Sequence, residues 1–147
     1  MISSILVVFP QFAVIFRQFR SEKFAVTAIK QEFLDTLKIN IGGTFFCSKA
    51  VIPYMKSQDQ GCIINLSGGG GLTAHPYYDA YSASKAAIVR MTENIALELE
   101  KFDINVTAIS PGAVNTEMFH AQLRQDKESI GDENWRALQD QLGSGGE

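Results

Sequence analysis

Two short apolar runs separated by one long amphipathic segment constrain this chain more than any other feature. Residues 62–66 and 104–109 are rich in β-branched side chains and bounded by turn residues, which is typical of buried strands. Between them, residues 80–102 place apolar side chains at helical spacing, with Asp79 as the candidate N-cap. A strand, a long helix and a second strand in this order predict a right-handed crossover and a parallel sheet. The predicted fold class is therefore α/β.

A second long helix is predicted upstream, over residues 31–56. Its apolar residues recur at roughly helical spacing: Phe33, Leu34, Leu37, Ile41, Phe45, Ala50, Val51 and Met55. Gly42 and Gly43 each cost about 1 kcal/mol relative to Ala in a helix interior. Pro53 should bend or end the helix. Close approach of another element explains the glycines, and ordinary packing of helix on helix is the alternative.

Composition and charge exclude several classes of function. The 147 residues are 46% hydrophobic, which suffices for one buried core and argues against two domains. The net charge of -3 leaves no basic surface for nucleic acid. Cys47 and Cys62 form neither a zinc pattern nor a disulfide framework, so a reducing, cytoplasmic setting is expected. His75 and His120 stand alone on predicted loops, which favours solvated side chains over a metal site.

The apolar start of the chain does not have the pattern of a membrane segment. Pro10 and Gln11 interrupt residues 1–16, which are too short to cross a bilayer. A basic start and a small-residue cleavage site, which mark a signal peptide, are both missing from the sequence. We expect either a buried strand or an apolar arm without a place in the core.

Tyr81 and Lys85 form the most suggestive pair of side chains in the sequence. They are four residues apart at the start of the predicted helix, so both project from one face. A neighbouring ammonium favours the ionised form of a phenol, so a Tyr beside a Lys can donate or accept a proton during a reaction. The Y-x-x-x-K spacing is common, and the alternative is a helical turn that carries both residues without using them.

Turn residues follow both predicted strands. Residues 67–71 read Ser-Gly-Gly-Gly-Gly after the first strand, and residues 110–112 read Ser-Pro-Gly after the second. In open parallel sheets, ligands bind beyond the carboxyl ends of the strands. Both turns belong to that edge, and so does the start of the helix that carries Tyr81. The sequence therefore predicts a functional site there.

Four motifs in this order make the chain resemble the short-chain dehydrogenase/reductase family. They are KINIGGTF at 38–45 with PYM at 53–55, IINLS at 63–67, YSASKAA at 81–87, and ISPGAVNT at 109–116. The likeness extends over about residues 33–118. It implies a partial Rossmann-type doubly wound parallel sheet and NAD or NADP as cofactor. The implied reaction is hydride transfer between the nicotinamide and a small alcohol or carbonyl substrate.

The resemblance also implies a role for each motif. Tyr81 would be the general acid or base on the substrate oxygen, and Lys85 would hold the nicotinamide ribose and favour the phenolate. Asn40 would break its helix locally and anchor a proton-relay water. The nicotinamide side would be lined by Pro111, Gly112, Val114 and Thr116. The cofactor carries the redox chemistry, while the protein supplies placement and electrostatics.

One position departs from the family pattern. The substrate-orienting serine of the family falls thirteen residues before Tyr81, and Gly68 occupies that position. Ser67 is the nearest hydroxyl, but successive side chains of a strand face opposite sides unless the turn re-aims them. Ser67, a backbone N–H or a water are therefore the candidates for orienting the substrate, with Gly68 and His75 bordering its pocket.

The resemblance covers only the central and C-terminal parts of the family pattern. Residues 1–32 contain no Gly-rich dinucleotide turn, residues 33–118 carry the core, and residues 119–147 hold a substrate loop and a terminal helix. The chain is thus expected to be one partial domain, similar to the middle of a longer enzyme. Two functions are compatible with it: an oxidoreductase, or an inactive fragment that acts through oligomerisation. The resemblance places the oligomer interface on helices 31–56 and 80–102.

Overall fold

A parallel three-stranded sheet lies at the centre of the computed structural model, which describes residues 6–9, 30–76, 78–111 and 131–144. Its strands, in spatial order, are β1 (Leu6–Phe9), β2 (Gly61–Leu66) and β3 (Ile104–Ile109). Leu66 at the end of β2 is the register partner of Ile109 at the end of β3. The predicted α/β class with a parallel sheet is confirmed.

Four α-helices accompany the sheet in the described residues. They are α1 (Lys30–Leu37), α2 (Gly43–Gln58), α3 (Asp79–Leu99) and α4 (Asp132–Ser144). A π-helical turn, Lys38–Gly42, joins α1 to α2, and a single 3-10 turn, Gly69–Gly71, follows β2. Within the part of the chain that the structure describes, no helix is long and apolar enough to cross a membrane.

Residues 6–9, near the start of the chain, form a strand, which was one of the two expectations for this segment. β1 pairs in parallel with β2, with Leu6 opposite Cys62 and Phe9 opposite Asn65. The predicted segment covered residues 1–16, and its positions outside 6–9 lie outside the described residues. β2 is therefore the central strand of the three.

The core lies between the sheet and the helices that flank β2. Along β2, alternate residues are buried, and Ile63 is fully enclosed. The buried apolar cluster comprises Met55, Ile63, Ile95, Leu99 and Ile104. Gly61 has a packing reason: a Cβ there would lie 2.9 Å from the Cβ of Met55. The two predicted strands and the predicted helix between them thus enclose one core.

The helix α3 begins and ends slightly earlier than the sequence predicted. Tyr78, not Asp79, is the N-cap residue, because the Tyr78 carbonyl accepts the first helical bond from the Ser82 N–H at 2.8 Å. The Tyr78 side chain makes no capping bond. At the other end, α3 stops at Leu99 rather than Phe102, and a turn leads into β3.

The expectation of one long helix over residues 31–56 is confirmed, since residues 30–58 are helical throughout. A π-helical turn at Lys38–Gly42 interrupts the regular α-helical bonding inside it, as the resemblance implied for Asn40. Pro53 does not end the helix, since α2 continues to Gln58. Pro53 has no N–H to donate to the Lys49 carbonyl, and both residues are exposed, so water can replace that helical bond.

The buried face of α1 and α2 agrees with the prediction at Met55, which is fully buried in the core, and differs from it over residues 34–48. Leu34 and Phe45, expected in the apolar face, are 44% and 43% exposed. The buried stripe is instead polar and repeats every four residues: Thr36, Asn40, Thr44 and Ser48. Threonine hydroxyls can be buried here because they bond to their own helix: Thr36 donates to the Glu32 carbonyl and Thr44 to the Asn40 carbonyl. Hydrophobic periodicity alone could not reveal this face.

Candidate active site

The site lies at the carboxyl ends of β2 and β3. The Ser67 N–H donates to the Ile109 carbonyl at 2.9 Å, which continues the strand pairing by one residue. Ser67 and Pro111 are therefore placed at the same edge of the sheet. Pro111 is exposed there. Gly112, Val114 and Thr116, the other expected nicotinamide-lining residues, lie outside the described residues.

The glycine turn after β2 is packed tightly against the start of α3. Gly68 has φ +106°, a conformation that favours glycine, and its carbonyl accepts the Gly71 N–H at 3.0 Å. A Cβ at Gly70 would lie 2.8 Å from Ser82 Oγ, and a Cβ at Gly71 would lie 2.8 Å from the Lys85 carbonyl carbon. The glycines thus allow the turn to lie directly on the helix.

Gly68 contacts the hydroxyl end of Tyr81. A Cβ built on Gly68 would lie 2.5 Å from Tyr81 Oη, so the phenol occupies the space that a side chain at position 68 would need. Tyr81 lies in the first turn of α3, and its ring is half-buried. The glycine that replaces the expected serine is therefore in direct contact with the candidate catalytic group.

Ser67 is on the other side of the same turn. Its side chain is buried, and Oγ donates to the Gly68 carbonyl at 3.2 Å. A Cβ at Gly71 would lie 2.6 Å from this oxygen and 2.8 Å from the Lys85 carbonyl carbon, so the Ser67 hydroxyl and the Lys85 backbone both border Gly71. Of the two candidate positions, Gly68 is in direct contact with the Tyr81 hydroxyl.

Lys85 is held at the end of β2 by a hydrogen bond to the backbone. Its side chain is 4% exposed, and Nζ donates to the Leu66 carbonyl at 3.0 Å. Nζ lies 5.7 Å from the centre of the Tyr81 ring, so the predicted pair is brought together. Burial lowers the pKa of Lys85 to about 8, because the ammonium loses water.

Burial acts on Tyr81 in the opposite direction from the effect expected of a neighbouring ammonium. It raises the pKa of the Tyr81 phenol above its ordinary value, because the phenolate would be poorly solvated. The role of Lys85 in favouring the phenolate stays a prediction. Tyr81 is a protonated phenol at neutral pH, as a phenol of ordinary pKa would also be.

Asn40 reaches the helix of Tyr81 through Ser84, which was not among the predicted site residues. Asn40 is 1% exposed, and its Nδ2 donates to Ser84 Oγ at 2.8 Å. Ser84 Oγ in turn donates to the Tyr81 carbonyl at 2.7 Å. A hydroxyl three residues after Tyr81 on the buried face was the available signal, because serine inside a helix needs such a local partner.

His75 packs on its own loop. Its ring centre is 4.8 Å from that of Tyr78, and its backbone carbonyl accepts the Tyr78 N–H. Desolvation lowers the pKa of His75 and raises that of Tyr78 to about 12. The structure gives His75 a contact within the loop before α3, and the proposed border of the substrate pocket stays a prediction.

The described residues fit one end of a dinucleotide better than the other. Lys85 and Tyr81 stand together beyond the carboxyl end of β2, where a ribose and a nicotinamide could meet them. A pyrophosphate needs an open glycine turn that leads into a helix N-terminus. The turn at Gly68–Gly71 does not meet that need, since three of its four glycines face the chain's own Tyr81, Ser82, Ser67 and Lys85.

Comparison with known proteins agrees with this geometry. The profile of the family described as short chain dehydrogenase matches residues 19–127. A 3-ketodihydrosphingosine reductase of Bacteroides thetaiotaomicron is 40% identical over 89 residues, which is 60% of this chain and 33% of the reductase. The chain spans well under two thirds of the length of the curated relatives it matches, from 33% to 46% in eight of them.

Two solved structures with bound nicotinamide cofactors are similar in fold. NAD+-bound xylitol dehydrogenase is 31% identical with a TM-score of 0.68, over 76% of this chain and 45% of that one. The NADP-bound protein ElxO is 28% identical with a TM-score of 0.65, over 75% of this chain and 46% of that one. The arrangement of sheet and helices described above is therefore shared with proteins that bind such cofactors.

Proposed function

The chain belongs to the short-chain dehydrogenase family, and from that premise we propose that it carries the acid–base part of a nicotinamide-dependent oxidoreductase site acting on an alcohol or carbonyl. The observation that supports this most directly is the joint placement of Tyr81 and Lys85. Both side chains stand at the carboxyl end of β2, with Nζ 5.7 Å from the Tyr81 ring centre. Ligands of parallel sheets bind at this edge.

Tyr81 is the group that moves the proton in this proposal. The phenol is protonated at neutral pH, which is the form that donates to a carbonyl oxygen during reduction. For alcohol oxidation the phenol must first lose its proton, which burial disfavours.

Lys85 supplies positive charge and a hydrogen-bond donor beside the phenol. With a pKa of about 8, it is mostly an ammonium at pH 7, and that charge lowers the cost of forming a phenolate when Tyr81 gives up its proton. The same Nζ would hold ribose hydroxyls of the cofactor, which supplies or accepts the hydride when bound. Pro111, Gly112, Val114 and Thr116 would line the nicotinamide side.

The choice between NAD and NADP is open in this proposal. One similar structure holds NAD+ and the other holds NADP. The residue that would select between them belongs to a part of the family pattern that residues 1–32 do not match. We propose a nicotinamide cofactor of either kind.

The substrate oxygen meets a different environment from that of the family pattern. Position 68 carries no hydroxyl, and the Tyr81 hydroxyl fills the space beside Gly68. A lost oxyanion donor costs about 3 kcal/mol in the transition state unless another group replaces it. We propose that backbone N–H groups of the glycine turn, or a water, donate to the substrate oxygen in place of the serine hydroxyl. Ser67 would support the turn through its hydrogen bond to the Gly68 carbonyl.

Turnover by a Tyr81→Phe variant tests the acid–base assignment. The purified chain is assayed with NADH and NADPH against a panel of ketones and aldehydes. Tyr81→Phe should lose about 10²- to 10⁴-fold in kcat, because it lacks the proton donor. Tyr54→Phe is the matched control, since Tyr54 is 68% exposed on α2. Equal turnover by Tyr81→Phe and Tyr54→Phe would refute the assignment.

A second function, association of an inactive chain through its helices, is favoured by one observation. Large apolar side chains are exposed along α1 and α2: Leu34, Phe45, Phe46 and Tyr54. Phe46 is 66% exposed and packs edge-on against Phe45. A second copy could cover these side chains. Light scattering should then report dimers that Phe46→Ser converts to monomers, and monomers in the unaltered chain would exclude this function.

A further inference from the structure

The geometry points to Ser84 as a positioning residue for Tyr81, an inference that rests on the proposed function of that site. Ser84 does not touch the space where a substrate would lie. It connects the first turn of α3 to the π-helical turn at Lys38–Gly42 through two short hydrogen bonds. We infer that these bonds set the place of the Tyr81 backbone, and hence of its hydroxyl.

The connection consists of one hydroxyl that both accepts and donates. Ser84 Oγ accepts from Asn40 Nδ2 at 2.8 Å and donates to the Tyr81 carbonyl at 2.7 Å. Ser84 has no exposed surface and Asn40 is 1% exposed, so water does not compete for these bonds. Asn40 thereby holds the peptide group of the catalytic tyrosine from 44 residues away in sequence.

The start of α3 has particular need of such a connection. Tyr81 is the third residue of the helix, and the N-cap residue Tyr78 makes no side-chain capping bond. The first turn of a helix without a cap frays more readily than its interior. The bonds through Ser84 act on this turn from the inner side, while the glycine turn packs on it at Gly70 and Gly71.

The π-helical turn explains why Asn40 can reach Ser84. A π turn inserts an extra residue into a helix and redirects the side chains around it. The Asn40 carbonyl accepts the Thr44 hydroxyl at 2.8 Å, which fixes the turn from its other side. The π-helical turn inside the predicted long helix thus brings an amide donor to the helix of Tyr81.

The same helix contains a matched arrangement away from the site. Thr92 Oγ1 donates to the Ile88 carbonyl at 2.7 Å and accepts from Asn65 Nδ2 at 2.9 Å. Thr92 is 3% exposed and lies eight residues beyond Ser84. Both hydroxyls tie α3 to an asparagine of another element, but only Ser84 bonds the carbonyl of Tyr81. A substitution at Thr92 therefore shows the effect of losing a buried hydrogen bond of α3 away from Tyr81, and comparison with Ser84 isolates the effect on the position of Tyr81.

The test compares Ser84→Ala with Thr92→Val in the full chain. Tyrosines labelled with ¹³C at Cζ are titrated by NMR, and the Tyr81 signal is assigned by its loss in Tyr81→Phe. Ser84→Ala should lower the pKa of Tyr81 toward its ordinary value, because a looser first turn admits water to the buried phenol. Thr92→Val should leave the Tyr81 signal unchanged, although both variants lose a buried hydroxyl and unfold earlier.

Turnover gives the second readout. Ser84→Ala should lower kcat about tenfold with little change in KM, because a displaced phenol affects the transition state more than binding. Ser84→Cys nearly keeps the size of the side chain and makes weaker hydrogen bonds. If Ser84→Ala does not fold, Ser84→Cys replaces it in both measurements. It should shift the Tyr81 signal in the same direction by a smaller amount.

Two results would overturn the inference. One is a Tyr81 signal and pKa unaffected by both Ser84 variants. The other is an equal shift of the Tyr81 pKa in Ser84→Ala and Thr92→Val, which would reduce Ser84 to an ordinary stabilising contact. The NMR readout does not depend on turnover, so failure of the proposed oxidoreductase function would appear separately, as a Tyr81→Phe variant that keeps its activity.

Discussion

The helix α3 and the segment formed by α1 and α2 bury different proportions of apolar and polar side chains. α3 buries large apolar residues such as Ile88 and Leu99 together with the polar groups of the site, because it packs on the sheet. The α1–α2 segment buries a polar stripe, contributes Met55 to the apolar core and leaves Phe46 and Tyr54 exposed. The buried face of a helix that packs on a sheet can be predicted from the helical spacing of its apolar residues. The buried face of a helix that approaches another helix through small hydroxyl side chains cannot be predicted in this way.

The largest effect in this comparison is expected at the contact between the glycine turn and α3. Gly68→Ser, which restores the residue of the family pattern, should destabilise the chain by about 2–4 kcal/mol, since φ is +106° and the new Cβ would meet Tyr81 Oη. If the tyrosine moves to make room, the hydroxyl loses its place and turnover falls. Urea unfolding and kcat measure the two losses.

Gly69→Ser is the control for that substitution. A Cβ at Gly69 has nothing within 4 Å, so its unfolding free energy should change by no more than about 0.5 kcal/mol. A Gly68→Ser variant as stable as Gly69→Ser, with turnover above that of the unaltered chain, would mean that the turn has room for the serine and that the contact with Tyr81 is not restrictive.

The next effect concerns the buried ammonium on α3. The pKa of Lys85 is about 8 in the folded chain and about 10.5 in its ordinary state, so the unfolded chain binds more protons between these values. Stability should therefore rise with pH from about 8 to 10, by at most about 1 kcal/mol per pH unit from this group. Below pH 8 the full cost of the buried charge is present.

Lys85→Met should remove that rise. Unfolding free energies measured by urea at several pH values between 7.5 and 10 would show a flatter profile for the variant than for the unaltered chain. Above pH 10 the raised pKa of Tyr81 acts in the opposite direction, since the folded chain then holds a proton that the unfolded chain releases. A profile with the same slope in Lys85→Met would show that another group causes the rise.

The smallest effect is expected on the polar stripe of α2. Ser48 Oγ is buried, and the described residues offer it no hydrogen-bond partner. Ser48→Ala should therefore stabilise the chain by about 1 kcal/mol, because an unsatisfied hydroxyl is costly to bury. Thr44→Val should cost about 1 kcal/mol instead, since it removes the bond to the Asn40 carbonyl. Thermal unfolding distinguishes the two signs, and a destabilised Ser48→Ala would mean that a water satisfies this hydroxyl.

The sequence predicted the elements that have a strong local pattern. β3 was predicted with its observed bounds, β2 within one residue and α3 within three, because apolar spacing and turn residues mark them. The π-helical turn at Lys38–Gly42 has no such pattern, and only the family resemblance indicated a break near Asn40. Local periodicity carries no information on how a helix meets a second helix.

The site was predictable in its residues and less so in its contacts. The spacing of Tyr81 and Lys85 indicated a shared face, and the structure places them together. The contact of Tyr81 with Gly68 depends on a positive φ and on how the turn packs, which no residue pattern reports. The raised pKa of Tyr81 depends on burial, and Ser84 depends on a partner 44 residues away.

Titration of the purified chain with NADH and NADPH tests the central claim most directly. Calorimetry of the unaltered chain should show saturable binding of at least one cofactor, and Lys85→Met should weaken it at least tenfold while remaining folded by circular dichroism. Saturable binding that depends on Lys85 would support the nicotinamide site beside Tyr81. A folded chain that binds neither cofactor, or binds one equally well after Lys85→Met, would contradict it.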